Sequence, residues 1–262
     1  MILITGGEGF IGSHLVDNIK DAVPLDDRSF NKYKFDNTIV IDIRSKDIYD
    51  VVKNSDYIIH CACRDIRTSI IEPIIDAEVN GIGTLNLLRA CREYKKDFLY
   101  ISSVSVHHEA SHYAISKQTG ERYTLMYRQW ISTAIVRLSN VFGPRDTESV
   151  IAKWLKNDII TLIDPNHTRN FTYYKDAIKG IKCAIEYRPS EIEDIGTGIQ
   201  TKLGDIANWL SKKLNKPIKT IQQREIDNVK KRVVTKEKQK KNLKFSPEWD
   251  LYIALEEMLK NK

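Results

Sequence analysis

The first dozen residues, MILITGGEGFIG, restrict what this chain can fold into more than any other stretch. Ile2, Leu3 and Ile4 form an apolar run of the length of one buried strand. Thr5 ends the run, and Gly6, Gly9 and Gly12 follow at intervals of three. From Ser13 to Ile19 apolar residues resume at helical spacing. Strand, glycine turn and helix together are the context in which a Gly-x-x-Gly-x-x-Gly spacing carries meaning. Glycines let a backbone turn tightly and come close to a ligand. The N-terminus of the following helix offers unpaired N–H groups and the positive end of its dipole. The combination suits a pyrophosphate, which Gly6, Gly9, Phe10, Ile11 and Gly12 would cradle. The competing explanation is a glycine-rich turn with no ligand, and the flanking strand and helix weigh against it.

The pattern continues along the chain. Ala22 to Leu25 reads as a second strand, closing on Asp26 and Asp27. A carboxylate at that position of a dinucleotide fold accepts hydrogen bonds from the adenosine ribose and repels a 2′-phosphate, which favours NAD over NADP. Arg28, next along, keeps NADP open. Thr38 to Ile41 is a third strand, followed by Asp42 and Ile43, and Tyr57 to Cys61 is a fourth. A long amphipathic helix is expected over about residues 74–93. Phe98 to Ile101 is a fifth strand running into Ser102 and Ser103, and Ile131 to Val136 is a sixth leading to Asn140. Strands alternating with helices imply a doubly wound parallel α/β sheet of Rossmann type. Ligands of such sheets bind at the carboxyl ends of the strands, where Asp26, Asp42, His60 to Cys63, Ser103 and Asn140 all fall. Beyond Pro144 the pattern is less regular, with helices expected over 202–214 and 250–260.

Composition narrows the class further. The 262 residues are 42% hydrophobic, enough for a substantial core. The apolar start is too short for a signal peptide, and no run approaches the roughly 20 residues of a membrane span. Four cysteines, Cys61, Cys63, Cys91 and Cys183, sit in apolar or helical contexts without a disulfide pattern. Cys61 and Cys63 are expected to alternate on one strand as small apolar residues. A cytoplasmic location fits. The net charge of +6 is concentrated near residues 230–244. That run lacks interleaved aromatics and suits a solvated helix better than a nucleic-acid surface. His107, His108 and His112 are close in sequence but complete no metal-binding set, so no metal is expected.

The chemistry centres on YAISK. Tyr113 and Lys117 are four apart, hence on one helix face one turn apart. An ammonium there favours the phenolate and is expected to lower the tyrosine pKa from about 10 toward working pH. Tyr113 then becomes a proton-transfer group. Ser103, at a strand end, is placed to hydrogen-bond the same substrate oxygen. Tyr-x-x-x-Lys alone is usually a surface pair; the glycine motif and the preceding serine make it specific.

With these residues in place the chain resembles the extended short-chain dehydrogenase/reductase family, in particular its NAD-dependent nucleotide-sugar epimerases and dehydratases. TGGEGFIG resembles the opening glycine motif, and Asp42-Ile43 the pair that contacts adenine. IIHCAC resembles the fourth strand, which brings Cys61, Ala62 and Cys63 to the cofactor. EVNGIGTLNLL resembles the helix whose asparagine is here Asn80. SSVSV and YAISK resemble the catalytic segments, making Ser103, Tyr113 and Lys117 the implied triad, the last two also touching the cofactor. RLSNVFGPR resembles the segment whose asparagine, here Asn140, meets the nucleotide phosphates. RNFTYYKDAIKGI and REIDNVKKRVV resemble the substrate-holding segments, which implies Arg169 and Arg224 on the diphosphate and Asp227 on the nucleoside ribose. Paired guanidinium groups suit a diphosphate.

The resemblance implies an NAD-binding domain over residues 1–143, with the chain returning to it around 170–195. A small nucleotide-sugar-binding domain would span 144–262. It implies a UDP-sugar substrate, 4-epimerisation through a 4-keto sugar, and a homodimer formed by the helices near 74–93 and 113–128. A 4-ketoreductase, or a nucleotide-binding protein without catalysis, are the alternatives. The sequence departs from the family in three places. Only nine residues separate Ser103 from Tyr113, where a longer loop usually helps wall the sugar pocket. His107-His108 replaces the usual Tyr-Gly. The stretch from Pro144 to Arg169 is short.

Overall fold

Seven short apolar runs, each bounded by polar or glycine residues, assemble into one parallel sheet. A computed structural model describes residues 1–29, 33–108, 111–221, 234 and 236–260. In chain order its first half runs β1 (Ile2–Thr5), α1 (Phe10–Asn18), β2 (Ala22–Asp26), β3 (Ile39–Val40), α2 (Ile48–Lys53), β4 (Tyr57–His60), α3 (Thr68–Ile71) and α4 (Pro73–Ala77). A π-helical segment, Glu78–Gly83, joins α4 to α5 (Thr84–Tyr94). Next come β5 (Asp97–Ser103), a 3-10 turn (Val104–His107), α6 (His112–Tyr127) and β6 (Thr133–Leu138). The second half comprises β7 (Asn140–Phe142), α7 (Val150–Lys156), β8 (Ile160–Leu162), β9 (Thr168–Tyr173), α8 (Tyr174–Tyr187), β10 (Glu193–Ile195), β11 (Gln200–Lys202), α9 (Leu203–Leu214), β12 (Ile218–Thr220), α10 (Lys236–Asn242) and α11 (Leu251–Lys260).

The main sheet has the order β10-β6-β5-β4-β1-β2-β3, and its pairs are all parallel. This is the doubly wound Rossmann-type α/β fold. Strand order reverses between β1 and β4, which opens a crevice at their carboxyl ends. Pro24 is tolerated inside β2 because β3 pairs only with Leu25 and Asp26, so the strand is an edge at Pro24. One face of the sheet packs Leu3, Ile58, Phe98 and Tyr100 against Leu87, Leu88 and Cys91 of α5. The other packs Ile4, Ile59, Leu99 and Val136 against Leu15 of α1 and Ile178 and Ile181 of α8.

β7 and β9 pair in a separate small sheet with β11, and β8 pairs with β12. A third cluster of Trp154, Phe171, Tyr173, Leu210 and Leu255 fills this smaller lobe. The chain rejoins the main layer through α8 and β10. It then rejoins a second time: α10 lies against β10, and Leu243 and Phe245 enter the main core fully buried. Among the described residues no helix is long and apolar enough to cross a membrane.

The expected 74–93 helix is continuous in direction but changes character in its middle, at the π segment that contains Asn80. Cys61 and Cys63 lie beyond the end of β4 rather than on it, and Cys63 is exposed instead of packed. Arg224 and Asp227 fall outside the described residues.

Candidate active site

The glycine motif is required by its geometry. Gly6 has φ of +67°, and a Cβ there would sit 2.7 Å from the Ala62 backbone. A Cβ on Gly12 would lie 2.0 Å from the Gly6 carbonyl oxygen, so α1 can start this close to β1 only with glycine. The result is a cavity of about 310 Å³ at the crevice. Of the sequence-derived cofactor residues, Gly6, Gly9, Phe10, Ile11, Gly12, Asp26, Asp27, Asp42, Ile43, Cys61, Ala62 and Cys63 all line it. A bare backbone cradle at a helix N-terminus, with a carboxylate at the end of β2, is the donor and acceptor set a dinucleotide needs. The residues present therefore fit NAD.

Each carboxylate in this cavity is differently held. Asp26 accepts the backbone N–H groups of Glu8 (3.1 Å) and Arg28 (2.9 Å). Burial still pushes its pKa up, with those two bonds opposing. Asp42 accepts Arg44 through both oxygens, and these hydrogen bonds hold it below the usual carboxylate range. Glu8 is buried and carries an ion pair with Arg28 at 3.0 Å. Nothing in the glycine spacing marks Glu8 or the 145–148 stretch that also lines the cavity.

Asn80, Tyr113 and Lys117 are not among the residues that line this cavity. Asn80 is buried; its Oδ1 accepts Arg64 N at 2.8 Å, and its Nδ2 bonds Asp76 Oδ1 (2.7 Å) and Ser116 Oγ (3.0 Å). It fixes the backbone of Arg64, which does line the cavity. The π segment lets this side chain leave the helix axis, a common use of such bulges at functional sites. A directional chain supports it from below. Thr84 Oγ1 donates to Asn80 O (2.7 Å), so it must accept from His60 Nε2 (2.9 Å). His60 Nδ1 then accepts from Thr5 Oγ1 (2.7 Å). Burial, helped by the Lys117 charge, keeps His60 neutral by lowering its pKa well below the ordinary value.

Tyr113 and Lys117 occupy the first turns of α6, whose N-terminus is capped by Ser111 Oγ accepting Ala114 N. Lys117 is 1% exposed, donates to Ile101 O at 2.7 Å, and has its ammonium 4.2 Å from the Tyr100 ring centroid. Burial opposes its charge, and the surrounding Tyr100, Cys63 and Tyr113 groups outweigh it, so its pKa moves up. Ser103 is the last residue of β5. It lies beside the Tyr113 phenol and favours the anion, while its own hydroxyl donates to Ser105 Oγ at 3.0 Å. The net shift of Tyr113 is upward, against the sequence expectation. Burial is the largest cause and raises it; Lys117 and Ser103 only partly offset that.

The short Ser103–Tyr113 connection is fastened from outside. His107 Nε2 meets Asp194 of β10 at 3.1 Å, and Arg137 of β6 bridges from His107 (3.5 Å) to Glu121 (2.6 Å). His107 is therefore a structural clamp. On the far side of the cleft, Asn140 begins β7 and its Oδ1 is buried without a hydrogen-bond partner. Arg169 is half-buried on the neighbouring strand β9, where Phe171 is the register partner of Asn140.

Residues 2–196 match the NAD dependent epimerase/dehydratase family. A putative UDP-glucose 4-epimerase of Methanocaldococcus jannaschii is 32% identical, over 96% of this chain and 94% of that protein. A UDP-N-acetyl-alpha-D-glucosaminuronate decarboxylase of Bacillus cytotoxicus is 28% identical, over 78% of this chain and 77% of its own length. Among solved structures, UDP-glucuronic acid 4-epimerase from Bacillus cereus, in complex with UDP-glucuronic acid and NAD, superposes with a TM-score of 0.87. It shares 27% identity and covers 99% of this chain and 98% of its own.

Proposed function

The chain belongs to the NAD-dependent epimerase/dehydratase family, and from that premise we propose that it inverts carbon four of a UDP-hexose through a 4-keto sugar. The observation that carries this reading is Tyr113 and Lys117 one helical turn apart, with Ser103 at the β5 end beside the phenol, next to a dinucleotide cavity. NAD, which the glycine cradle, Asp26 and Asp42 would hold, would supply the hydride acceptor and a positive charge that favours the phenolate. Tyr113 takes the proton of the C4 hydroxyl and later gives it back. Lys117, its ammonium fixed by Ile101 O, supplies the protein's own share of positive charge near that oxygen. Ser103 orients the reacting oxygen once its hydroxyl turns from Ser105. Asn140, with its unpartnered Oδ1, and Arg169 are the residues for the nucleotide end, joined by Arg224 and Asp227.

Elimination of water needs a further acid and base after the active serine, and Val104 and Ser105 stand there instead. A net 4-ketoreductase uses the same triad, and the upward shift of Tyr113, which keeps the phenol protonated, suits proton donation to a ketone. Incubation with a panel of UDP-, GDP- and dTDP-sugars, UDP-glucuronic acid among them, separates the readings. A C4 epimer formed with no net change in NADH supports epimerisation. Stoichiometric NADH consumption supports the reductase, and carbon dioxide release a decarboxylase. Binding with none of these products overturns an enzymatic role on these sugars.

We also infer a homodimer. Ile74, Ile82 and Ile115 are 73%, 55% and 51% exposed around one groove between the α4–π segment and α6. Such a continuous apolar strip suits burial by a second copy. Ile82→Lys should turn a dimer into a monomer in sedimentation; an unchanged mass in wild type and variant overturns the assignment. We place the protein in the cytoplasm, consistent with its four free cysteines.

A further inference from the structure

Arg28 stands two residues past Asp26, where a guanidinium in a dinucleotide fold can accept a 2′-phosphate. In this protein that guanidinium is held by a carboxylate. Its Nε lies 3.2 and 3.3 Å from the two Glu8 carboxylate oxygens, its Nη2 lies 3.0 Å from Oε1, and Nη2 also donates to Phe35 O at 3.3 Å. Glu8 is 2% exposed and is itself fixed by Thr38 Oγ1 (2.7 Å) and Phe35 N (3.3 Å). Arg28 also holds a left-handed backbone, φ of +59°, which an L-residue adopts at a cost. Two contacts maintain it: the Arg28 N–H on Asp26 Oδ1 and the side-chain fork on Glu8. A costly backbone held by two independent contacts is a position the structure fixes rather than leaves to chance.

We propose that Glu8 is a cofactor-specificity residue: by binding the Arg28 guanidinium it withholds a cation next to Asp26 that would attract the 2′-phosphate of NADP. Discrimination in favour of NAD thus has two parts. Asp26 repels the phosphate, and Glu8 occupies the group that would neutralise it. Glu8 acts through Arg28 and is a positioning residue, so loss of the pair changes which dinucleotide binds and not merely how firmly the loop is held.

The test measures dissociation constants of NAD and NADP by calorimetric titration for the wild-type protein, Glu8→Gln, Arg28→Ala and the double variant. Glutamine keeps the hydrogen bonds from Thr38 and Phe35 and removes the charge that retains Arg28. The expected result is NADP binding at least tenfold tighter in Glu8→Gln than in wild type, with NAD changed by less than threefold, and the gain abolished in the double variant. Two results overturn the proposal: NADP bound no tighter in Glu8→Gln, or a gain that survives removal of Arg28. If Glu8→Gln does not fold, Glu8→Asp, which draws the charge back from the guanidinium, carries the same expectations.

Discussion

Tyr113 is a phenol whose burial pushes its pKa up, although a buried ammonium stands one turn away. Sequence spacing predicted the proximity of Tyr113 and Lys117 correctly and the sign of the net shift incorrectly, because desolvation depends on what covers the ring and not on its neighbours in the chain. Tyr113→Phe keeps the ring and removes the proton carrier. Turnover on the best sugar found should fall by about a hundredfold or more while NAD and nucleotide-sugar binding persist. Steady-state kinetics beside titration checks this, and near wild-type turnover would transfer the proton step to another group. Glu8 gives a second prediction. Burial raises its pKa, but Thr38, Arg28 and Phe35 together bring it below the ordinary 4.5. A lowered native pKa means ionised Glu8 favours the fold. That contribution is complete above pH 4.5 and lost as pH falls through the native value. Urea midpoints of wild type and Glu8→Gln should therefore converge as the pH is lowered below 4.5; a constant difference would show that the charge contributes nothing. The Glu8–Arg28 pair was invisible in the sequence, since residues twenty apart with no shared pattern meet only through the sheet.

At the scale of elements, the strand and helix boundaries followed apolar runs and glycines closely, and the π segment did not. One inserted residue leaves the apolar spacing of a helix almost unchanged, so periodicity cannot reveal it. Its support is the Thr5–His60–Thr84 chain, which ties the ends of β1 and β4 to the backbone of Asn80. Thr84→Val keeps the shape and deletes the hydroxyl, leaving His60 Nε2–H without an acceptor in a fully buried site. Unsatisfied donors of this kind cost about 1–3 kcal/mol. Denaturation should show a loss in that range together with weaker NAD binding, because Asn80 positions Arg64 in the cavity wall. Destabilisation with unaltered NAD affinity would separate the chain from the site.

At the scale of the whole molecule, the glycine cradle of the crevice was legible because it is local, made by a single strand, turn and helix, and much of the rest because it falls at the ends of further strands of the same sheet. The residues proposed for the substrate side were only partly legible, since Asn140 and Arg169 stand on two paired strands, β7 and β9, of a separate sheet. Arg169→Ala should weaken nucleotide-sugar binding about tenfold, the loss expected for one charge-assisted hydrogen bond, and leave NAD binding intact. Equal titration curves for both proteins would make Arg169 a surface charge. The second return of the chain to the main layer, through α10, Leu243 and Phe245, also has a consequence during synthesis. A ribosome that has released 190 residues has made β6 but not its edge partner β10, and the apolar surface that Leu243 and Phe245 cover is still open. The edge of β6 is filled as soon as β10 is made, but the apolar surface under Leu243 and Phe245 stays uncovered until those residues are added, the circumstance in which chains associate wrongly. Fragments 1–190 and 1–235 should be protease-sensitive and aggregation-prone, and 1–250 markedly less so; a resistant 1–190 fragment would show that the nucleotide-binding half is finished before its lid of C-terminal residues arrives.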